Sequence, residues 1–340
     1  MSFEAAVARY FAARLPDAHD VTVTRLNRIP GGASRETFSV DLRWLEGNGK
    51  ERTQGFIIRR DPEASLVDSD RRIEFDFYRS FADSNVPVPR PLFLETESTW
   101  LERPFFVMER IDGCESQFQA LLDPGFAPHR DGLARRMYEI LGDIARMPIA
   151  GLPAAASSEV PAPEACWRRE LDYWEGVIDA HELEPQPIAR AGVRWLRRHP
   201  PPPPARVSVV HGDYRTGNFL YRGERILGIL DWEMAHFGDP LEDLAWSFMP
   251  AWQWARDGKA GGIADPDDAI RIWGQRSGLR VDPAALRWWQ VFSCVKAQGI
   301  WLTGARQYAD GRAQEILLAF TSYWLVNAQD RLLLQALGRL

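Results

Sequence analysis

The sequence predicts an α+β protein in two lobes, a β-rich N-terminal lobe over residues 1–110 and a mainly helical C-terminal lobe over residues 111–340. Two observations carry that division. Before residue 110, short runs rich in Val, Ile, Thr and Phe are separated by turns bearing Gly and Pro. After Asp112-Gly113 the apolar spacing becomes helical, and from Pro240 onward it is also dense in tryptophan. A chain of 340 residues, 45% hydrophobic and 26% charged, can fill a large core and is far from the composition of a disordered protein.

Residues 3–15 open the chain as an amphipathic helix, with Ala5, Val7, Ala8, Phe11, Ala12 and Leu15 near one face. Strands are expected at 21–24, 37–44 and 55–59. The first pair is joined by the glycine-bearing segment 30–35, the second by the turn cluster 46–50. A helix over 68–82 places Ile73, Phe77 and Phe81 on one face, and the prolines of 87–91 end it. Strands at 92–96 and 105–108 complete a five-stranded antiparallel sheet. Helices follow at 133–145, 164–180 and 188–197, interrupted by a loop at 154–163. The proline run 200–204 reads as a stiff spacer. Behind it come strands at 206–210 and 226–230, then helix to the C-terminus. No internal repeat occurs. A cleft between the lobes, near residue 110, is the favoured place for a ligand.

Charge and cysteine usage exclude several function classes. Lys and Arg number 41 against 47 Asp and Glu, a net charge of -6, so nothing draws the whole chain to nucleic acid or acidic lipid. Cys114, Cys166 and Cys294 are too scattered for a disulfide scaffold or a thiolate zinc site. Glu4, Arg9 and Arg14 break the apolar N-terminus, so a signal peptide is not expected. No run approaches the ~20 apolar residues of a spanning helix. The expectation is a soluble, cytoplasmic protein without a nucleic-acid or membrane partner.

One segment, 207–246, concentrates the chemistry. It holds His211-Gly212-Asp213, then Asn218, then Asp231 at the end of an apolar strand. Phosphoryl transfer needs an acceptor hydroxyl held in line with the γ-phosphate of a nucleotide, and a carboxylate to take its proton. Asp213 suits that part. Mg²⁺ takes hard oxygen ligands, and Asn218 with Asp231 supplies an amide oxygen and a carboxylate from the two ends of a strand-turn-strand unit. Singly, a histidine or aspartate here would be a core or capping residue. Together, at these spacings, they read as a site.

These residues match the pattern H-x-D-x-x-x-x-N followed by a metal-binding aspartate, with Gly212 in the middle of the triplet and Asp231-Trp232-Glu233 in the place of DFG. With VVHGDYRTGNFL, ILDWEMAHFGDPLEDLAW, GGASRETF, IIRRDP, VPVPRP and FFVMERIDG, the chain resembles the aminoglycoside phosphotransferase family and its choline-kinase-like relatives, over roughly residues 20–330. The resemblance implies a bilobal protein-kinase-like fold, and an ATP- and Mg²⁺-dependent small-molecule kinase that phosphorylates an alcohol group.

It also implies site residues. Gly31, Gly32, Ala33 and Ser34 would offer backbone N–H groups to the phosphates. Arg59 would stand where the family has a lysine for the α- and β-phosphates, with Glu74 as its ion-pair partner; strand alternation favours Arg59 over Arg60. A surface pair of Glu74 with Arg71 is the plainer alternative. Met108 would lie behind the adenine, and the backbone of Glu109 and Ile111 along its edge. His211 belongs to the catalytic loop, and Arg215 would touch the γ-phosphate or stay solvated. Asp243 would brace the loop. Glu233 would reach a second metal, the acceptor or a nearby basic residue.

The acceptor is the least determined part. A pocket built from tryptophans 246, 252, 254, 288, 289 and 301 suits a neutral or apolar alcohol, or a hydroxyacyl compound, better than a polycationic aminoglycoside, although any single one of them more often fills core between helices. Two rival classes remain. One is a pseudokinase-like nucleotide-binding module, motivated by the missing strand lysine. The other is a metal-dependent hydrolase built on His211, Asp213, Asp231 and His236.

Overall fold

The computed structural model describes residues 1–29, 36–61, 70–253, 255, 257–312, 319–320 and 324–340. Helix α1 (Phe3–Arg14) starts where the Ser2 hydroxyl accepts the Ala5 N–H at 3.2 Å. It covers one face of an antiparallel sheet of β1 (His19–Ile29), β2 (Glu36–Leu45), β3 (Glu51–Arg60), β4 (Pro91–Glu95) and β5 (Phe105–Glu109), in the order β1-β2-β3-β5-β4. The strands are longer than the apolar runs suggested, because hairpin pairing of β1 with β2 and of β2 with β3 carries polar flanks into the ladder. Helix α2 (Arg71–Phe81) begins after Asp70, whose carboxylate caps the Arg72 N–H at 2.7 Å.

Strand alternation sorts the side chains onto two cores. Phe56, Ile58, Phe105 and Val107 face α1 with Val7, Tyr10 and Phe11. Phe106 and Met108 face the other way and join Phe77, Tyr78 and Phe81 of α2 in the larger core of the C-terminal part. The backbone changes from sheet to helix near residue 110, but the packed core runs across that point through α2 and β5. Arg60 lies on the α1 face, donating to Glu36 at 2.6 and 2.9 Å and to the Leu101 carbonyl at 3.1 Å. Arg59 therefore points to the opposite side.

The C-terminal part contains α3 (Phe118–Leu122), α4 (Arg130–Arg146), α5 (Ala154–Ser157), α6 (Cys166–His181) and α7 (Pro187–Arg198), then β6 (Ser208–Val210), β7 (Phe219–Arg222), β8 (Arg225–Ile229) and β9 (His236–Gly238), and finally α8 (Leu241–Ser247), α9 (Pro266–Ser277), α10 (Pro283–Ala309) and α11 (Val326–Ala336). The segment expected as loop at 154–163 starts with the one-turn α5. Strand β9 was not foreseen: three residues are too short to show a period, and β9 forms because β6 pairs with it. Strands β7 and β8 form the expected hairpin. Helix α10 is buried on nearly all sides over Ala285–Gly299 and is the axis of this core. Among the described residues no helix is long and apolar enough to cross a membrane.

Most of the tryptophans are core. Trp288 donates to the Leu196 carbonyl and Trp289 to Asp239, both buried between helices, so neither can line an acceptor pocket. Trp246 and Trp252 form a separate cluster with Met249, flanked by Trp301. Trp254 lies outside the described residues.

Candidate active site

The turn after β6 carries His211, Gly212 and Asp213. Gly212 has φ +84°, and a Cβ there would meet the Met234 carbonyl oxygen at 2.4 Å, so the turn admits only glycine. Asp243 of α8 accepts the His211 N–H at 2.6 Å and the Gly212 N–H at 2.9 Å. Burial pushes the Asp243 carboxyl up to about 6, although those N–H groups pull the other way. His211 is fully buried, with Nε2 2.8 Å from the Leu230 carbonyl and Nδ1 3.1 Å from the Asp213 N–H. One ring nitrogen thus donates and the other accepts, as in a neutral imidazole, and burial lowers its pKa to about 4.

Three side chains aim the Asp213 carboxylate. Asn218 Nδ2 donates to Oδ2 at 2.6 Å, Trp246 Nε1 to Oδ1 at 2.8 Å, and Arg215 Nε to both oxygens at 3.0 and 3.2 Å. The Arg215 guanidinium lies 4.6 Å over the Trp252 ring, which is 5.5 Å from that of Trp246. Trp246 was expected as pocket lining. Its hydrogen bond to Asp213 was not foreseen.

Asp231 follows β8 with φ +61° and a side chain about 38% exposed. The Leu230 N–H donates to the Asn218 carbonyl at 2.8 Å, which ties the Asp231 and Asn218 backbones together at the open end of the β7–β8 hairpin. Arg59 Nη1 reaches Asp231 Oδ1 at 2.6 Å, and its Nη2 lies 3.4 Å from Glu74. One buried guanidinium therefore joins β3, α2 and the loop after β8. Burial would raise the Asp231 carboxyl, but the Arg59 charge and hydrogen bond outweigh it and hold the carboxyl below its usual range. Glu233 adds to the negative field on Arg59. Glu74 meets Arg59, while Arg71 is buried beside Asp61 and donates to the Arg59 carbonyl, so the surface pairing of Glu74 with Arg71 does not describe either residue.

Met108 is buried at the end of β5. The Glu109 N–H is committed to the Arg90 carbonyl at 2.9 Å, which leaves only its carbonyl for an adenine edge. Ile111 follows, beyond the last strand pair. Gly31, Gly32, Ala33 and Ser34 lie outside the described residues.

Behind the loop sits a second charged group that sequence reading did not assemble. His236 Nε2 is 3.1 Å from Glu242 and 3.5 Å from Glu170, and its Nδ1 is 3.0 Å from the Met234 carbonyl. Lys296 of α10 donates to Glu242 at 2.9 Å and to the Gly212 carbonyl at 2.7 Å. Both His236 nitrogens face acceptors, so the ring is doubly protonated; burial opposes that charge, but Glu170 and Glu242 raise its pKa to about 9. Glu170, His236 and Glu242 are close enough together to hold a metal ion, but the Lys296 ammonium already answers Glu242.

A folded pKa raised above the ordinary ~6.5 of histidine means that the stabilisation is complete below about pH 6.5 and is lost as pH rises through about 9. Thermal unfolding should show the midpoint falling across that window, and His236→Gln should flatten the fall. An unchanged slope in the variant would place the titration elsewhere.

Residues 25–289 match the APH phosphotransferase enzyme family. Among curated relatives, acyl-CoA dehydrogenase family member 10 of Mus musculus is 30% identical over 198 residues, 57% of this chain and 18% of that protein. The chain spans about a third or less of the length of the acyl-CoA dehydrogenase family members it matches. Among solved structures, a Ralstonia eutropha protein described as an aminoglycoside phosphotransferase superposes with a TM-score of 0.72 at 20% identity, covering 98% of each chain. Aminoglycoside phosphotransferase APH(4)-Ia, solved with ADP and hygromycin B, has a TM-score of 0.59 at 16% identity, covering 97% of this chain and 98% of that one. The fold is shared with these kinase-like proteins.

Proposed function

Because the chain belongs to the APH phosphotransferase enzyme family, we propose that it transfers the γ-phosphate of ATP to a hydroxyl of a small molecule in the cytoplasm. The observation that carries the reading is the meeting of two groups: Asp213 with Asn218 on the catalytic loop, and Asp231 with Arg59 and Glu74 from the other part of the chain. Asp213 takes the proton of the attacking hydroxyl, with its carboxylate held in one orientation by Asn218 and Trp246. His211, neutral and engaged at both nitrogens, supports the loop and does not itself exchange protons.

The donor set fits a hard divalent cation. Asn218 spends its Nδ2 on Asp213, which leaves Oδ1 as an oxygen ligand, and Asp231 offers a carboxylate kept ionised by Arg59. Asn218 and Asp231 would hold Mg²⁺ there, and the ion would supply charge neutralisation for the transferring phosphoryl group. Arg59 holds the α- and β-phosphates, Glu74 orients it, and the Met108–Ile111 backbone with the 31–34 loop holds the remaining nucleotide.

Arg59→Ala should weaken ATP binding and Glu74→Ala should do so less. Charge-assisted bonds of this kind are worth roughly 1.5–3 kcal/mol, and removing either partner breaks the pair, so the double variant should fall short of the sum. Arg60→Ala should spare ATP binding and lower stability, since its contacts are with Glu36 and Leu101. Strict additivity in the cycle would reject the pairing.

For the acceptor, the Arg215 guanidinium beside Asp213 repels a polycation, and the proposed class is a neutral or apolar alcohol or a hydroxyacyl compound. A screen of hydroxyl compounds for ADP production should rank apolar alcohols above aminoglycosides in kcat/KM. The opposite ranking would reject the acceptor class alone. A hydrolase built on His211 is disfavoured, because both ring nitrogens of that histidine are spent within the protein.

A further inference from the structure

Lys296 is one of only three lysines, with Lys50 and Lys259, among the 41 cationic residues of the chain, and it stands in the apolar run VFSCVKA of α10. Its side chain is 1% exposed. Burying an ammonium costs several kcal/mol, and a buried ion pair returns little stability over a well-packed apolar pair. An apolar residue would serve packing as well, so the position of the charge is informative.

The ammonium touches two things that belong to Asp213. It donates to the Gly212 carbonyl, the oxygen of the peptide that leads into Asp213, at 2.7 Å. It also lies 5.0 Å from the ring centre of Trp246, whose indole N–H donates to the Asp213 carboxylate at 2.8 Å. The Gly212 backbone, in its left-handed conformation, has its N–H on Asp243 and its carbonyl on Lys296, so the two side chains grip the residue from opposite ends. Glu242 fixes the ammonium in turn, and His236 and Glu170 complete its charge balance.

We propose that Lys296 is a positioning residue for phosphoryl transfer, setting both the peptide that precedes Asp213 and the indole that aims its carboxylate. The proposal rests on Asp213 being the proton acceptor. Its effect belongs to turnover and not to nucleotide binding, because Arg59, Glu74 and Asp231 lie on other elements and none of them touches Lys296. It also separates two parts of one residue, the bond to Gly212 and the ion pair with Glu242, which different substitutions remove.

Glu242→Gln keeps an acceptor for Lys296 and leaves the Gly212 bond in place. Lys296→Met alone strands Glu242 beside Glu170 in the core, so the double variant Lys296→Met/Glu242→Gln removes the pair without leaving that charge. The test measures kcat and the ATP KM of parent, Glu242→Gln and the double variant. It also follows the indole N–H resonance of Trp246 in ¹⁵N-tryptophan-labelled protein, assigned by its loss in Trp246→Phe. Glu242→Gln, which loosens the ammonium but leaves its bond to Gly212, should lose clearly less kcat than the double variant. The double variant should lose roughly ten- to a hundredfold in kcat at an unchanged ATP KM, and its Trp246 resonance should move as the bond to Asp213 loosens.

A double variant with parental kcat, or with an unmoved Trp246 resonance, would overturn the proposal. So would a loss that appears equally in Glu242→Gln, since that would assign the effect to the ion pair. A parent that turns over no hydroxyl compound would instead refute the transferase reading, and the resonance would still report whether Lys296 positions Trp246.

Discussion

Asp213→Asn should bind Mg·ATP nearly as tightly as the parent and transfer phosphate roughly a thousandfold more slowly, the range expected for loss of a positioned general base. The asparagine keeps the size of the side chain and an oxygen for Asn218 or Trp246, so the loop held by Asp243, His211 and Lys296 should survive. The nucleotide contacts assigned to Arg59, Glu74 and the Met108–Ile111 segment lie on other elements. Calorimetry and a single-turnover assay on the same preparation separate the two quantities. A parallel loss of both would mean that Asp213 holds the nucleotide and does not take the proton.

Asp231→Ala should act through binding. Its carboxylate is the exposed member of the chain Glu74–Arg59–Asp231 and is held ionised there. Without it, Arg59 keeps only Glu74, and the metal keeps only the Asn218 oxygen from this chain. The Mg²⁺-dependent part of ATP affinity should fall roughly a hundredfold, the scale of a lost Lewis-acid interaction of several kcal/mol. Excess Mg²⁺ or Mn²⁺ should restore little. A variant that binds Mg·ATP like the parent would remove Asp231 from the metal site.

Much of this was legible in the sequence because it depends on local spacing. The β7–β8 hairpin and the strand ends put Asn218 and Asp231 together, and both follow from short apolar runs around a Gly-bearing turn. The choice of Arg59 over Arg60 needed only the two-residue period of a strand. The resemblance to phosphotransferases then named Glu74, which pairs with Arg59, and Met108, Glu109 and Ile111 as candidates.

What stayed hidden depends on distant residues meeting. Lys296 is 84 residues from Gly212, and no local period announces their contact. A lone lysine in an otherwise apolar helical run was the available signal. Trp246 read as pocket lining because its ring is apolar, whereas its single N–H is what meets Asp213. Trp288 and Trp289 could not be told from pocket residues until the packing of α10 against α7 and the loop before α8 showed both indoles spent inside the core.

The central claim is that Asp213 directs the γ-phosphate onto a hydroxyl of a small molecule. The most direct measurement is transfer of labelled γ-phosphate from ATP to a panel of apolar and neutral alcohols, with the product identified. The parent should place the label in a phosphate monoester, one per ADP formed, and Asp213→Asn should leave nearly all of it on ATP. Label that appears only as inorganic phosphate, at the same rate in parent and variant, would contradict the account.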